Sequence, residues 1–168
     1  TMTGSGTAAS ANVANGITMS SNGNLALANG TGTASNYSLN STVINIAKRV
    51  LNSSGSKLYD ANTNALAGAI TLSNLVSGEA LNHSGTASTS SANVGSYTIS
   101  NLTGITIADG SGGTASNYTL TGGTHNFAIN QRPLNATLAR QYDGTTASAG
   151  STLSSFDALQ GGETLTLS

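Results

Sequence analysis

Gly32-Thr33-Ala34-Ser35-Asn36-Tyr37-Ser38-Leu39 returns 81 residues later as Gly113-Thr114-Ala115-Ser116-Asn117-Tyr118-Thr119-Leu120. The one difference, Ser38 against Thr119, keeps a hydroxyl. A repeat of this kind decides the architecture before local propensity does, because each pitch must then be one structural unit. It extends outward on both sides. Ala11-Asn12-Val13 returns as Ala92-Asn93-Val94, and Lys57-Leu58-Tyr59-Asp60 returns as Arg140-Gln141-Tyr142-Asp143. Ser77-Gly78-Glu79-Ala80-Leu81 returns as Gly161-Gly162-Glu163-Thr164-Leu165. The offset drifts from 81 to 84 residues, as loops that accept small insertions would produce.

The phase of the repeat matters as much as its period. Ala47-Lys48-Arg49 and its counterpart Asn130-Gln131-Arg132 are the best linkers, followed by Val50 and by Pro133, the single proline. On that phase residues 1–49 are the second half of a module, 50–132 are one complete module, and 133–168 are the first half of the next. A half module can neither bury its apolar face nor pair all its strand edges. One reading joins 133–168 of one chain to 1–49 of a neighbouring copy by head-to-tail strand exchange, an open heterologous contact. Another takes the sequence as a window of a longer tandem fibre. A third starts the module near Thr1 and Asn82.

Within each pitch, short runs alternate apolar and polar residues. Gly16–Met19, Val43–Ile46, Ala69–Leu72, Tyr97–Ser100, Ile105–Ile107, Tyr118–Leu120 and Asn126–Ile129 all do so. Period two with Thr and β-branched enrichment predicts half-buried strands. Ala108-Asp109-Gly110 and Tyr142-Asp143-Gly144 predict turns. A single helical turn fits only around Asp157–Leu159 or Ala61–Ala67. The fold class is therefore all-β, in tandem strand-rich modules of about 81–84 residues arranged end to end. β-grasp-like and sandwich-like modules both fit. A solenoid would need a rung about every 20 residues, and no such sub-period is present.

Composition narrows the function classes. Of 168 residues, 89 are Ser, Thr, Asn or Gly, and only 7% are charged, against about 25% in an ordinary soluble domain. Five scattered Lys and Arg residues make no basic patch for nucleic acid. No apolar run approaches the roughly 20 residues of a membrane span. The chain has no Cys, which excludes a disulfide framework, a thiolate metal site and a cysteine nucleophile. With 37% hydrophobic residues and a net charge of -1 it does not match the disorder signature.

Lys57-Leu58-Tyr59-Asp60 and Arg140-Gln141-Tyr142-Asp143-Gly144 resemble the YDG signature of bacterial surface repeats. Leu75–Glu79, Ala92–Ile99, Asn117–Leu120 and Phe127–Asn130 resemble the remaining blocks of that signature, in order. The resemblance is to YDG/MBG-type modules and covers essentially the whole chain. It implies β-grasp-like modules in long tandem arrays of large secreted proteins of the filamentous-haemagglutinin kind, exported by two-partner secretion. Ala61 departs from the signature, standing where Gly144 stands in the second copy. If that position needs positive φ, Ala carries about 1 kcal/mol of strain there.

The residues that repeat are read as structural. These are Asn36, Tyr37, Asn117, Tyr118, Tyr59, Asp60, Tyr142, Asp143, Gly144, Gly78, Glu79, Gly162 and Glu163. Asp60 and Asp143 are expected in Asx turns beside a Tyr that packs on the sheet. Glu79 and Glu163 are expected to bond in their loops or to accept from Lys57 or Arg140. The matched tyrosines are expected to anchor the core with the hydroxyl at the rim. A pair of carboxylates could serve glycoside cleavage, but these residues recur once per module, as an active site seldom does. His83 and His125 lack repeat counterparts and lack an acidic cluster, so a surface or half-buried place is expected and no metal. Asn-X-Ser/Thr triplets are about as frequent as composition alone gives and signal no glycosylation.

These readings predict a non-catalytic repeat region, with no cofactor or metal. It is a stalk or fibre of an extracellular bacterial adhesin or filament, secreted or held at the cell surface. The partners expected are neighbouring copies of the same repeat. The alternative is a module that binds glycans or a host surface through exposed polar loops.

Overall fold

The computed structural model describes residues 2–40, 42–99, 102–149 and 151–166. Strands make up 43% and short 3-10 turns 6%, which is the all-β fold expected. The chain divides into two compact units, each assembled from separate stretches. One is Thr1–Leu51 with Asn74–Leu81 and Asp109–Gly122; the other is Asn52–Ser73 with Asn82–Ala108 and Gly123–Ser168.

The second unit holds a four-stranded sheet in the order Gly95–Thr98, His125–Asn130, Asn52–Leu58, Ile70–Ser73. The two middle strands run parallel, with Phe127 opposite Gly55. Both outer pairs are antiparallel. His125, Phe127 and Ile129 alternate inward along their strand. Phe127 and Ile129 are each 1% exposed, and burial of such a side chain contributes about 1.5–3 kcal/mol.

The partner strand Asn52–Leu58 contains Asn, Ser and Gly where a core strand would carry Val or Ile. Those small residues make room for the aromatic. A Cβ on Gly55 would lie 2.2 Å from the Ala69 carbonyl oxygen and 2.8 Å from the Phe127 ring. Ser53 is buried, and its Oγ lies 2.9 Å from His125 Nδ1, so the two polar side chains satisfy each other. A three-stranded sheet, Ile105–Asp109, Leu81–Ser88, Asn64–Leu66, sets Ala87 opposite Ala65, both nearly fully buried. A β-grasp would carry a helix across its sheet. Between Leu58 and His125 the described residues form strands and 3-10 turns, with no α-helix.

Further along the same unit, Ala136–Ala139 pairs antiparallel with Thr152–Phe156 through a bulge between Thr137 and Leu138. The Asp157 carboxylate closes that hairpin. It accepts the Asn135 backbone N–H at 2.7 Å and the Asn135 amide at 2.8 Å.

In the first unit Ala14–Ser21 pairs antiparallel with Val43–Ile46, and Ile17 faces inward. Tyr118–Thr119 runs parallel to Arg49–Val50, and the Leu51 N–H continues that ladder to the Thr119 carbonyl at 2.8 Å. Leu51 is fully buried and Tyr118 is 2% exposed.

The runs Gly16–Met19, Val43–Ile46, Ile105–Ile107 and Asn126–Ile129 fall inside observed strands. Ala69 instead closes a 3-10 turn, Ala67–Ala69, ahead of the strand Ile70–Ser73. Ser100, the end of the expected Tyr97–Ser100 strand, lies outside the described residues. The helical turn expected within Ala61–Ala67 begins only at Ala67, because Asn64–Leu66 is drawn into a strand beside Thr86–Ser88. Asp157–Leu159 forms no helical turn, since Ala158 takes φ 57. Two 3-10 turns, Ala34–Asn36 and Ala115–Asn117, sit inside the quoted repeat itself.

Candidate functional site

The turns after Tyr59 and Tyr142 take the same local geometry in both copies. Lys57 Nζ lies 2.7 Å from Asp60 Oδ1, and Arg140 Nη1 lies 2.8 Å from Asp143 Oδ1. Asp60 accepts the Asn62 N–H at 3.2 Å, and Asp143 accepts the Thr145 N–H at 2.9 Å. Both are the Asx turns expected. Each turn passes through a left-handed residue, Ala61 at φ 59 and Gly144 at φ 75. The signature position does require positive φ, and Ala61 meets it at the cost of strain. Partial burial by itself would raise Asp60. The Lys57 ammonium and the Asn62 N–H outweigh it and hold the carboxyl below its usual range. The Thr145 N–H and hydroxyl, with Arg140, hold Asp143 low as well.

The 3-10 turns match too. The Ala34 N–H donates to Asn29 Oδ1 and the Ala115 N–H donates to Asp109 Oδ1, both at 2.7 Å. The sequence reading missed this clasp. Its signal was an Asx-Gly pair ahead of each copy, Asn29-Gly30 and Asp109-Gly110.

The tyrosines diverge from the core-anchoring expectation. Tyr118 is buried and Tyr59 is half-buried, but Tyr37 is 70% exposed and Tyr142 is 97% exposed. The cause is whether the chain at each tyrosine finds a strand to pair with. Tyr118 opens a strand paired with Arg49–Val50, whereas Tyr37 runs into unpaired chain. Tyr59 continues its ladder by donating its N–H to the Asn130 carbonyl at 2.9 Å, whereas the strand before Tyr142 ends at Ala139.

Glu79 and Glu163 do not take Lys57 or Arg140, which are held by Asp60 and Asp143. Each accepts a phenol: Tyr118 donates its hydroxyl to Glu79, and Tyr59 donates its hydroxyl to Glu163. The Val76 N–H also donates to the Tyr118 oxygen at 3.2 Å. Each Glu sits on the same tight turn. The Glu79 N–H reaches the Val76 carbonyl and the Glu163 N–H reaches the Gln160 carbonyl, both at 3.0 Å. Gly78 and Gly162 supply positive φ, 85 and 77. Bonding to a carboxylate favours the neutral phenol, so Tyr118 and Tyr59 are both raised above the usual tyrosine value.

Around Tyr118 the first unit is closed. The Val13 N–H donates to Asn117 Oδ1, and Asn117 Nδ2 donates to Asn12 Oδ1, each at 2.9 Å. Around Tyr59 the second unit is open. A cavity of about 740 Å³ is lined by Tyr59, Val94, Arg132, Leu134, Leu159 and Glu163, among others. Arg132 donates from Nε to the Tyr59 carbonyl at 2.8 Å.

The histidines stand apart from these sites. His83 is half-buried, as expected, with Nε2 within 3.1 Å of the Ala67 and Ile70 carbonyl oxygens, which makes it a donor. His125 is buried, contrary to the surface or half-buried place expected, because the alternation of its strand turns it inward with Phe127. Among the described residues, no three His, Asp or Glu side chains gather to hold a metal ion. No described helix is long and apolar enough to cross a membrane.

No curated protein and no solved structure matches the chain. Residues 47–125 match the family model described as YDG domain. The match takes in the first Tyr59-Asp60 turn, the Gly78-Glu79 turn and the Asn117-Tyr118 pair. The chain therefore carries a YDG domain at residues 47–125.

Proposed function

We propose that this chain is a structural repeat region, the stalk or fibre of a secreted bacterial surface adhesin or filament, and that it performs no catalysis. The observation that carries the reading is where the repeated polar groups go. Asp60, Asp143, Glu79 and Glu163 each bind a backbone N–H or a neighbouring side chain of the fold. Carboxylates used in this way fix turns and offer little to a substrate. The function is then spacing, stiffness and resistance to proteases, set module by module and at neighbour contacts.

The test is a set of tandem chains carrying one, two and three copies of residues 50–132, measured by small-angle scattering and limited proteolysis. Expected is a maximum dimension that grows by a constant step per copy, with each copy surviving protease. A dimension that saturates would overturn the stalk reading. Saturable binding on a glycan array, lost on substitution of exposed loop residues, would favour the binding-module alternative.

A further inference from the structure

The two YD turns share a geometry but not a chemistry. In the second copy the side chains at the turn are Arg140, Asp143 and Thr145, joined by hydrogen bonds and an ion pair. Their counterparts in the first copy are Lys57, Asp60 and Asn62, an amine, a carboxyl and a carboxamide. Lys57 Nζ lies 2.7 Å from Asp60 Oδ1 and 2.9 Å from Asn62 Oδ1, and it also donates to the Asn62 backbone carbonyl at 2.8 Å. The first turn is the more enclosed. The Lys57 and Asp60 side chains are 14% and 32% exposed, against 27% and 49% for Arg140 and Asp143. All three residues of the first turn lie within 47–125, the stretch that matches the family model.

We propose that Lys57 and Asn62 form a covalent isopeptide bond, with Asp60 as the acid–base group, so that the first YD turn staples itself. Partial burial penalises the two charges of the ion pair and favours the neutral amine and acid. The step begins as a proton passes from Nζ to Asp60 Oδ1 along their hydrogen bond. The freed lone pair attacks Asn62 Cγ, and the Nζ–Cγ bond forms. Asp60 then protonates Asn62 Nδ2 and takes a second proton from Nζ. The Cγ–Nδ2 bond breaks, and the nitrogen leaves as ammonia, which takes up the proton left on Asp60. An ammonium group and a primary amide have become a secondary amide and an ammonium ion. Holding the amine against the amide supplies the proximity that the free groups lack.

The turn accommodates the product. The new amide keeps one N–H on Nζ for the Asp60 carboxylate, and Asp60 keeps the Asn62 backbone N–H at 3.2 Å. The closed ring runs through Ala61, whose φ of 59 is the strained point of the turn. Such a cross-link restricts the unfolded chain as a disulfide does, in a chain that has no Cys to form one. The second copy cannot follow. The Arg140 guanidinium stays charged and is no nucleophile, and Thr145 offers no side-chain carbonyl. The reaction happens once, within the chain, and turns over no substrate. It goes beyond the structural-repeat reading without depending on it: tandem copies that fail to lengthen would leave it standing.

Mass spectrometry of the purified 168-residue chain, intact and after denaturation and trypsin, tests it. Expected is an intact mass one ammonia below that of the sequence. Trypsin is expected to leave the acylated Lys57 uncut, so that residues 50–57 are not released, and fragmentation should place the loss between Lys57 and Asn62. Lys57→Arg keeps the charge and should return the full mass. Asp60→Ser keeps the amine, the amide and a turn-forming oxygen. It should slow the linkage by about a hundredfold or more, the share that acid–base assistance contributes; unchanged circular dichroism checks its fold. A wild-type chain of full mass that releases residues 50–57 would overturn the proposal. So would an ammonia loss located at an Asn-Gly pair such as Asn29-Gly30, or a linkage that forms as fast in Asp60→Ser.

Discussion

Tyr118 and Glu79, 39 residues apart, are joined hydroxyl to carboxylate, with the Tyr118 ring 2% exposed. The bond ties the Gly78-Glu79 turn to the strand that begins after the repeated 3-10 turn. Because the carboxylate favours the protonated phenol, the folded Tyr118 and Tyr59 hold their protons more tightly than the unfolded chain does. Their contribution is complete below the ordinary tyrosine value of about 10 and is lost as pH rises through the raised folded value. Melting temperature should fall above about pH 10, and Tyr118→Phe with Tyr59→Phe should flatten that fall while lowering stability at neutral pH. An alkaline limb unchanged in the double variant would contradict the two bonds.

At the acid end the sign reverses. Asp60, Asp143 and Asp157 are held below the usual carboxylate range by Lys57 and Asn62, by Thr145 and Arg140, and by Asn135. Their stabilisation is present above about pH 4 and is lost as pH falls through the lowered folded values. Thermal melts from about pH 5 down to about pH 2 should show this loss. Asp157→Asn should lessen the pH dependence and weaken the Ala136–Phe156 hairpin first, as read by amide exchange.

The two YD turns offer a matched pair of substitutions. Ala61 and Gly144 hold φ 59 and 75 at equivalent positions. Ala61→Gly should stabilise the folded chain by up to about 1 kcal/mol, and Gly144→Ala should destabilise it by a similar amount. Urea denaturation measures both. A loss of stability on Ala61→Gly would mean that the methyl group makes a contact worth more than the strain.

Phe127 is the largest fully buried side chain, and Gly55 is the space it occupies on the neighbouring strand. Phe127→Ala should cost about 3–5 kcal/mol. Gly55→Ala should be destabilising as well, because its Cβ would fall 2.2 Å from the Ala69 carbonyl oxygen. The pair should be less than additive, since the small residue leaves room for the new methyl only at the ring side. Additive losses would place the clash elsewhere.

Legibility in the sequence tracked the apolar period. Asn126–Ile129 alternates Phe127 and Ile129 with polar neighbours, and its strand was readable from that pattern alone. Asn52–Leu58 and Leu81–Ser88 were not, because their inward positions include Ser53 and Gly55 in the one and His83 and Ala87 in the other, polar or small residues that break the apolar period. The repeat marked Tyr118, Glu79, Tyr59 and Glu163 as residues that matter. It gave no sign that the carboxylates would choose phenols over cations, since that depends on Asp60 and Asp143 lying three residues from Lys57 and Arg140. Nor did it separate buried Tyr118 from exposed Tyr37. The local sequence is the same; only the strand available to pair with it differs.

Small-angle scattering of tandem chains carrying one, two and three copies of residues 50–132 tests most directly the claim that the repeat is a spacer. The maximum dimension is expected to grow by a constant step with each added copy. A dimension that saturates as copies are added would contradict the claim.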